Sequence, residues 1–167
     1  MPAYFFDSSA LVKRYYRESG TDWVRSICER RHQPGLYLSQ LARVEVVAAL
    51  RRAERYENLH ESFVDAMVNT FERHFSSSIR ARSTPIYSIV ALSPTVLEMA
   101  ANLCGRYWNM RPNPIRSLDA IQLACAIAAS ADLADDLIVV TADQRLLAIA
   151  ALESFHVIHP SYPPSSV

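Results

Sequence analysis

Of the 17 basic residues in this 167-residue chain only Lys13 is a lysine. Chemistry that needs a lysine late in the chain to neutralise a phosphoryl group therefore has none to use. The arginines that remain suit bidentate phosphate contacts. Cysteine is also scarce. Cys28, Cys104 and Cys125 are scattered without a CxxC pair. That pattern speaks against a disulfide framework or a zinc site and for small buried side chains in a reducing compartment. The five histidines, His32, His60, His74, His156 and His159, form no HExxH motif or Cys/His cluster. Three glycines and nine prolines leave little room for flexible linkers. Apolar runs such as 123–129 fall far short of a membrane span. Charge of one sign is not in excess, since 17 acidic residues balance 17 basic ones; this weighs against a large, charge-driven nucleic-acid footprint. The first residues run straight into Tyr4-Phe5-Phe6-Asp7 with no basic region or cleavage site, so a cytoplasmic protein with no membrane segment is expected.

What is present is ordinary globular composition, half hydrophobic and a fifth charged. The length suits one domain, expected over 1–160, with a Pro/Ser-rich tail at 161–167 that should fray. Tyr4-Phe5-Phe6 reads as a short strand that changes abruptly, at Asp7-Ser8-Ser9, into helix-starting chemistry. A helix is predicted over 10–18, stopped by Gly20, and a second over 21–31, broken by Pro34-Gly35. A short strand follows at 36–38, then helices over 40–56 and 60–75. In the latter, Phe63, Met67, Phe71 and Phe75 recur every four residues, a stripe read as core packing, with a dimer or partner interface as the alternative. A strand at 87–92 precedes a helix with Ser93 as N-cap and Pro94 at its first position. After a polar loop at 109–116 come a Ser117-capped helix to 131, a strand at 137–141, a helix at 142–152 and a strand at 155–158. Short apolar strands alternating with helices imply an α/β protein whose parallel sheet carries helices on both faces. Ligands in such sheets bind beyond the carboxyl ends of the strands, near a topological switch point.

Asp7 follows the first strand directly, and Asp143 lies two residues after the strand at 137–141. Asp119 stands two residues beyond Ser117. Each of the three has an everyday reading as a helix cap or first-turn acid. Glu45 is harder to set aside, because its same-face neighbours Leu41, Ala42, Ala48 and Ala49 are all apolar. A carboxylate there needs a cation, either an arginine such as Arg14 or Arg116, or a metal. If the four acids converge, their repulsion raises the pKa of one or more, and a divalent cation relieves it. Oxygen-only ligands select Mg²⁺ or Mn²⁺ over Zn²⁺.

Four segments in chain order resemble the PIN-domain family, specifically VapC-type toxins of toxin–antitoxin pairs. They are Phe6-Asp7-Ser8-Ser9-Ala10-Leu11-Val12, Ser39 with Arg43-Val44-Glu45-Val46, Arg116-Ser117-Leu118-Asp119-Ala120-Ile121-Gln122-Leu123-Ala124, and Val139-Val140-Thr141-Ala142-Asp143-Gln144-Arg145-Leu146. The resemblance implies a three-layer α/β/α sandwich with a short, mainly parallel sheet. It also implies an endoribonuclease dependent on one or two Mg²⁺ or Mn²⁺ ions, with RNA as substrate, an antitoxin as inhibitor, and a homodimer. Ligand and catalytic roles carry over onto Asp7, Glu45, Asp119 and Asp143; Ser8 and Thr141 take supporting positions. The expected chemistry is in-line attack by a metal-activated water, leaving a 5′-phosphate and a 3′-hydroxyl. Arg14, Arg51, Arg116 and Arg145, near the acids in sequence, are candidates for RNA phosphate contacts, with solvent exposure or pairing to acids as the plainer alternative. Two other readings are a catalytically silent RNA- or protein-binding module and an aspartyl-phosphate phosphatase. The phosphatase needs a second Asp where Ser9 stands and a lysine that Lys13, so early in the chain, is badly placed to supply.

Overall fold

The structure is a computed structural model that describes residues 3–29, 35–79, 86–131, 133–134 and 136–164. Five strands, β1 (Ala3–Phe6), β2 (Leu36–Ser39), β3 (Ser88–Val90), β4 (Leu137–Val140) and β5 (His156–Ile158), form one sheet in the order β3-β2-β1-β4-β5. Every pairing is parallel, with Phe5 opposite Tyr37 on one side of β1 and Phe6 opposite Val140 on the other. All four β1 residues are buried, as a central strand covered on both faces requires. The two-residue period sends Tyr4 and Phe6 into one core and Ala3 and Phe5 into the other.

The first core lies under α1 (Ser8–Tyr15), α2 (Thr21–Cys28), α3 (Ala42–Glu57) and α4 (Glu61–Ile79); the second lies under α5 (Pro94–Tyr107), α6 (Ser117–Ser130) and α7 (Gln144–Leu152). The result is the expected three-layer α/β/α arrangement. From β1 the chain first builds outward to β2 and β3, then crosses back to β4 on the other side. The switch point therefore falls at the carboxyl ends of β1 and β4.

Several boundaries differ from expectation for local reasons. Helix α1 begins at Ser8 rather than 10 because Asp7 caps it, its side chain accepting the Ser9 N–H. In the same way Asp143 caps α7, which starts at Gln144 rather than 142. Ser117 is not a cap but the first residue of α6; Arg116, in extended backbone, holds the cap position and its carbonyl accepts the Ala120 N–H. Gly20 does not stop α1, which ends at Tyr15. It opens α2 instead with φ +92°, and a Cβ there would lie 2.7 Å from the Pro160 carbonyl. Residues 30–34, where the second helix and its break were expected to end, lie outside the described residues. In the α4 stripe Met67, Phe71 and Phe75 are buried, whereas Phe63 is 55 % exposed. Within the tail expected to fray, the Ser161 hydroxyl donates to the Ser19 carbonyl at 3.1 Å, and 165–167 lie outside the described residues. Among the described residues no helix is long and apolar enough to cross a membrane.

Candidate functional site

Asp7 sits at the carboxyl end of β1, 5 % exposed. Its Oδ2 accepts the Ser9 N–H at 3.2 Å, the Ser9 hydroxyl and the Thr141 hydroxyl at 3.0 Å. Ser8 adds to these, its hydroxyl donating to Oδ1 at 3.4 Å and its backbone N–H to the carboxylate. Ser9 and Thr141 also tie the two strand ends together. Ser9 Oγ accepts the Ala142 N–H at 3.0 Å and Thr141 Oγ1 accepts the Asp143 N–H at 3.0 Å. Asp7 Oδ2 is thus fixed by three donors. Burial raises the Asp7 pKa despite these hydrogen bonds, which pull it down.

Glu45 lies in the first turn of α3, since that helix starts at Ala42 and not at 40, and the helix dipole favours a carboxylate there. No arginine pairs with it among the described residues. The Gln122 side-chain amide donates to Oε2 across 77 residues of sequence, and the Ser8 hydroxyl also hydrogen-bonds the carboxylate. Burial raises the Glu45 pKa first, and the charge of Asp7 second, with a smaller contribution from Asp119.

Asp119 occupies the first turn of α6, where the Arg116 backbone N–H donates to its carboxylate. This is the return arm of a capping box. Its pKa is raised by burial and then by the charge of Asp143. Asp119 Oδ2 is buried with no hydrogen-bond partner. Asp143 uses Oδ1 to cap α7, accepting from the Arg145 and Leu146 N–H groups at 2.8 and 3.3 Å. Its Oδ2 stands 4.0 Å from the Arg116 guanidinium. Capping and site formation are therefore compatible: each capping aspartate commits mainly one oxygen to the helix.

All four acids line one cleft of about 620 Å³, with Ser8, Ser9, Arg116 and Arg52 among its other walls. It opens at the switch point, where two strand ends and the first turns of α3 and α6 meet. Its lining is free of Cys and His, and such hard oxygen donors suit Mg²⁺ or Mn²⁺. The unpartnered Asp119 oxygen and the mutual repulsion of the acids point the same way. Among the described residues, however, no three Asp, Glu, His or Cys side chains stand together as a ready-made metal site. The donors fit a cation by chemistry and by sharing a cleft, not as a closed cage.

The arginines divide. Arg116 lines the cleft. Arg14 does not: its guanidinium donates to the Tyr87 hydroxyl and lies 5.8 and 5.5 Å from the Tyr15 and Tyr87 ring centres, in the first core. Arg51 is occupied with Glu54 and Asp65 on the outer surface. Arg145 stands outside the cleft lining, its Nε buried without a partner. These three lie off the cleft because each residue along a helix turns by about 100°, so side chains close in sequence to an acid need not share its face. Three contributors were missed. Gln122, one turn beyond Asp119, was legible as an i,i+3 neighbour. Arg52 is two turns beyond Glu45 on the same helix face. Ser9 has no sequence signal that separates it from a simple helix-start residue.

Compared with known proteins, the chain matches no curated protein. A family model does match it: that of the PIN domain, over residues 4–152.

Proposed function

The chain belongs to the PIN-domain family, and from that premise we propose that it is a divalent-metal-dependent endoribonuclease whose active site is the Asp7, Glu45, Asp119 and Asp143 cleft. PIN domains are generally nucleases and typically bind divalent metal ions. One observation carries the reading for this chain. Four carboxylates from four separate elements line a single cleft, three with raised pKa values, and one oxygen of Asp119 is buried without a partner. A pure binding module gains nothing from such repulsion.

Asp7, Glu45, Asp119 and Asp143 are the residues that would hold Mg²⁺ or Mn²⁺, one ion or two. When bound, the metal supplies charge neutralisation at the phosphate and a water of lowered pKa. The protein's own part is positional. Ser9 and Thr141 lock one oxygen of Asp7, and Gln122 holds Glu45 over the same cleft. Glu45 and Asp119, partly exposed and with raised proton affinity, are suited to take a proton from an attacking water. Arg116, at the mouth beside Asp143, is placed to meet a phosphate of the strand.

The same reading makes the protein the toxin of a toxin–antitoxin pair, cytoplasmic and homodimeric. An acidic cleft suits an arginine presented by an inhibitory antitoxin helix. Phe63 and Ile79, exposed on α4, offer apolar surface for a partner or a second copy. The test is incubation of purified protein with total RNA, with and without chelator. The wild type should cut only when metal is present, leaving 5′-phosphate ends, and Asp119→Asn should be at least 10²-fold slower, on the order expected for loss of one electrostatic contributor. Cutting that survives both chelator and the substitution defeats the reading.

A further inference from the structure

The acidic cleft has a second hollow beside it. Ala49 and Arg52 line the cleft on one side and on the other line this hollow of about 260 Å³, between α1 and α3. That hollow has an apolar floor, Val12, Ala49 and Ala53, and two tyrosines, Tyr16 and Tyr56, with Glu18 and Glu57 at the rim. Tyr56 is 76 % exposed, so its ring is open to stack against a planar ligand. Glu57 engages Tyr16 through Oε2 and, among the described residues, makes no bond through Oε1. Glu18 is held by Lys13 at 3.1 Å. Arg52 has no ion pair among the described residues.

From these features we propose that the hollow is a nucleobase subsite, and that Arg52 grips the backbone phosphate between it and the cleavage centre. The inference rests on the nuclease reading above and goes beyond it by assigning where base preference arises. Three arguments lead there. The hollow shares Ala49 and Arg52 with the acidic cleft, so a strand that places one phosphate at the acids and crosses Arg52 reaches it. Its volume lies below the range of about 300–1,000 Å³ typical of whole-ligand sites, which suits one planar ring packed against Tyr56. Its rim carries carboxylates, which repel phosphate but accept N–H groups. A base therefore enters ring-first while the backbone stays at Arg52. The Glu57 carboxylate favours a base edge that offers N–H donors, and guanine offers two side by side.

The experiment uses the full chain and a pool of short single-stranded RNAs with random sequence, read by sequencing the cut ends. Wild type should show a base preference at one fixed offset from the cut. Tyr56→Ala should flatten that preference and Glu57→Gln should change the favoured base. Arg52→Ala should raise KM about tenfold with kcat and preference retained, the size expected for one lost phosphate contact or stacked base. Tyr56 and Arg52 are surface residues, so the melting temperature should not move. Because cleavage is read alongside, the two readings fail separately. Wild type that cuts, with a profile untouched by Tyr56→Ala and Glu57→Gln and a KM untouched by Arg52→Ala, overturns this inference alone and gives the hollow to a protein segment. If the wild type does not cut, fluorescence anisotropy with a labelled ten-nucleotide RNA decides: Tyr56→Ala should weaken binding about tenfold, and equal affinity overturns the subsite.

Discussion

Asp119 keeps a buried oxygen without a partner, next to an acid whose charge raises its pKa; stability and function pull against each other at this side chain. Its folded-state pKa is raised, so its contribution is fully present below the ordinary unfolded carboxylate value of about 3.9 and is lost as pH rises through the folded value. In chelator at pH 7 the charged carboxylate is a liability. Asp119→Asn should then be more stable than wild type by about 0.5–1 kcal/mol, a figure kept small because the group is partly exposed and screened. The gain should vanish toward pH 4 in urea titrations, and a pH-independent difference would contradict the assignment. His74 works in the opposite direction. Burial first, then the charges of Arg14 and Arg73, lower its pKa, while its Nδ1 meets the Tyr15 hydroxyl at 3.1 Å. Its contribution is full above the unfolded value of about 6.5 and falls away as pH drops through the folded one. His74→Gln, which retains an acceptor, should reduce the loss of stability between pH 7 and pH 5. An unchanged slope rules His74 out as its source.

At the scale of elements, the join between α2 and the chain end is the tightest fit. Gly20 combines φ +92° with a backbone neighbour at 2.7 Å from any added Cβ, so two separate penalties meet at one position. Gly20→Ala should cost about 2 kcal/mol or more in chemical denaturation and leave RNA cleavage at permissive temperature unchanged, since the acids sit at the other ends of α1 and α7. A cost below a few tenths of a kcal/mol would show that the Pro160–Ser161 backbone moves aside. Helix starts matter more than helix middles for the site. Asp7 and Asp143 serve as caps, and Glu45 and Asp119 occupy first turns, so four helix N-termini direct their dipoles at one cleft. Those dipoles offset part of the repulsion among the acids.

For the whole molecule, the acids strain the metal-free fold and a cation should relieve it. Mn²⁺ or Mg²⁺ at a hundred times its Kd should add about 2.7 kcal/mol of stability, visible as a rise in melting temperature, while Asp119→Asn should lose most of that rise. Since three of the acids hold protons more tightly than usual, metal binding should release protons and tighten as pH increases. A metal-induced shift equal in wild type and variant would place the ion elsewhere. The two cores bear on this differently. The α5–α7 side carries Asp119 and Gln122 on α6, and the α1–α4 side carries Glu45 on α3, so the Glu45–Gln122 bond spans the layers over the carboxyl edge of the sheet.

How much was legible follows from the range of each interaction. Strand and helix identities, the Ser93-Pro94 start of α5 and the placing of Asp7 and Asp143 beyond strand ends are written in periods of two and 3.6 and in capping chemistry, all within a few residues of one another. Tertiary structure decided the rest. It sent Arg14 to a tyrosine 73 residues away, gave Glu45 an amide where a guanidinium was one expectation, and set Arg52 at the junction of two hollows. Those outcomes depend on crossovers that bring distant segments to the same edge of a sheet. A local pattern specifies which face a side chain takes on its own helix, but what stands opposite that face is settled only when the layers close.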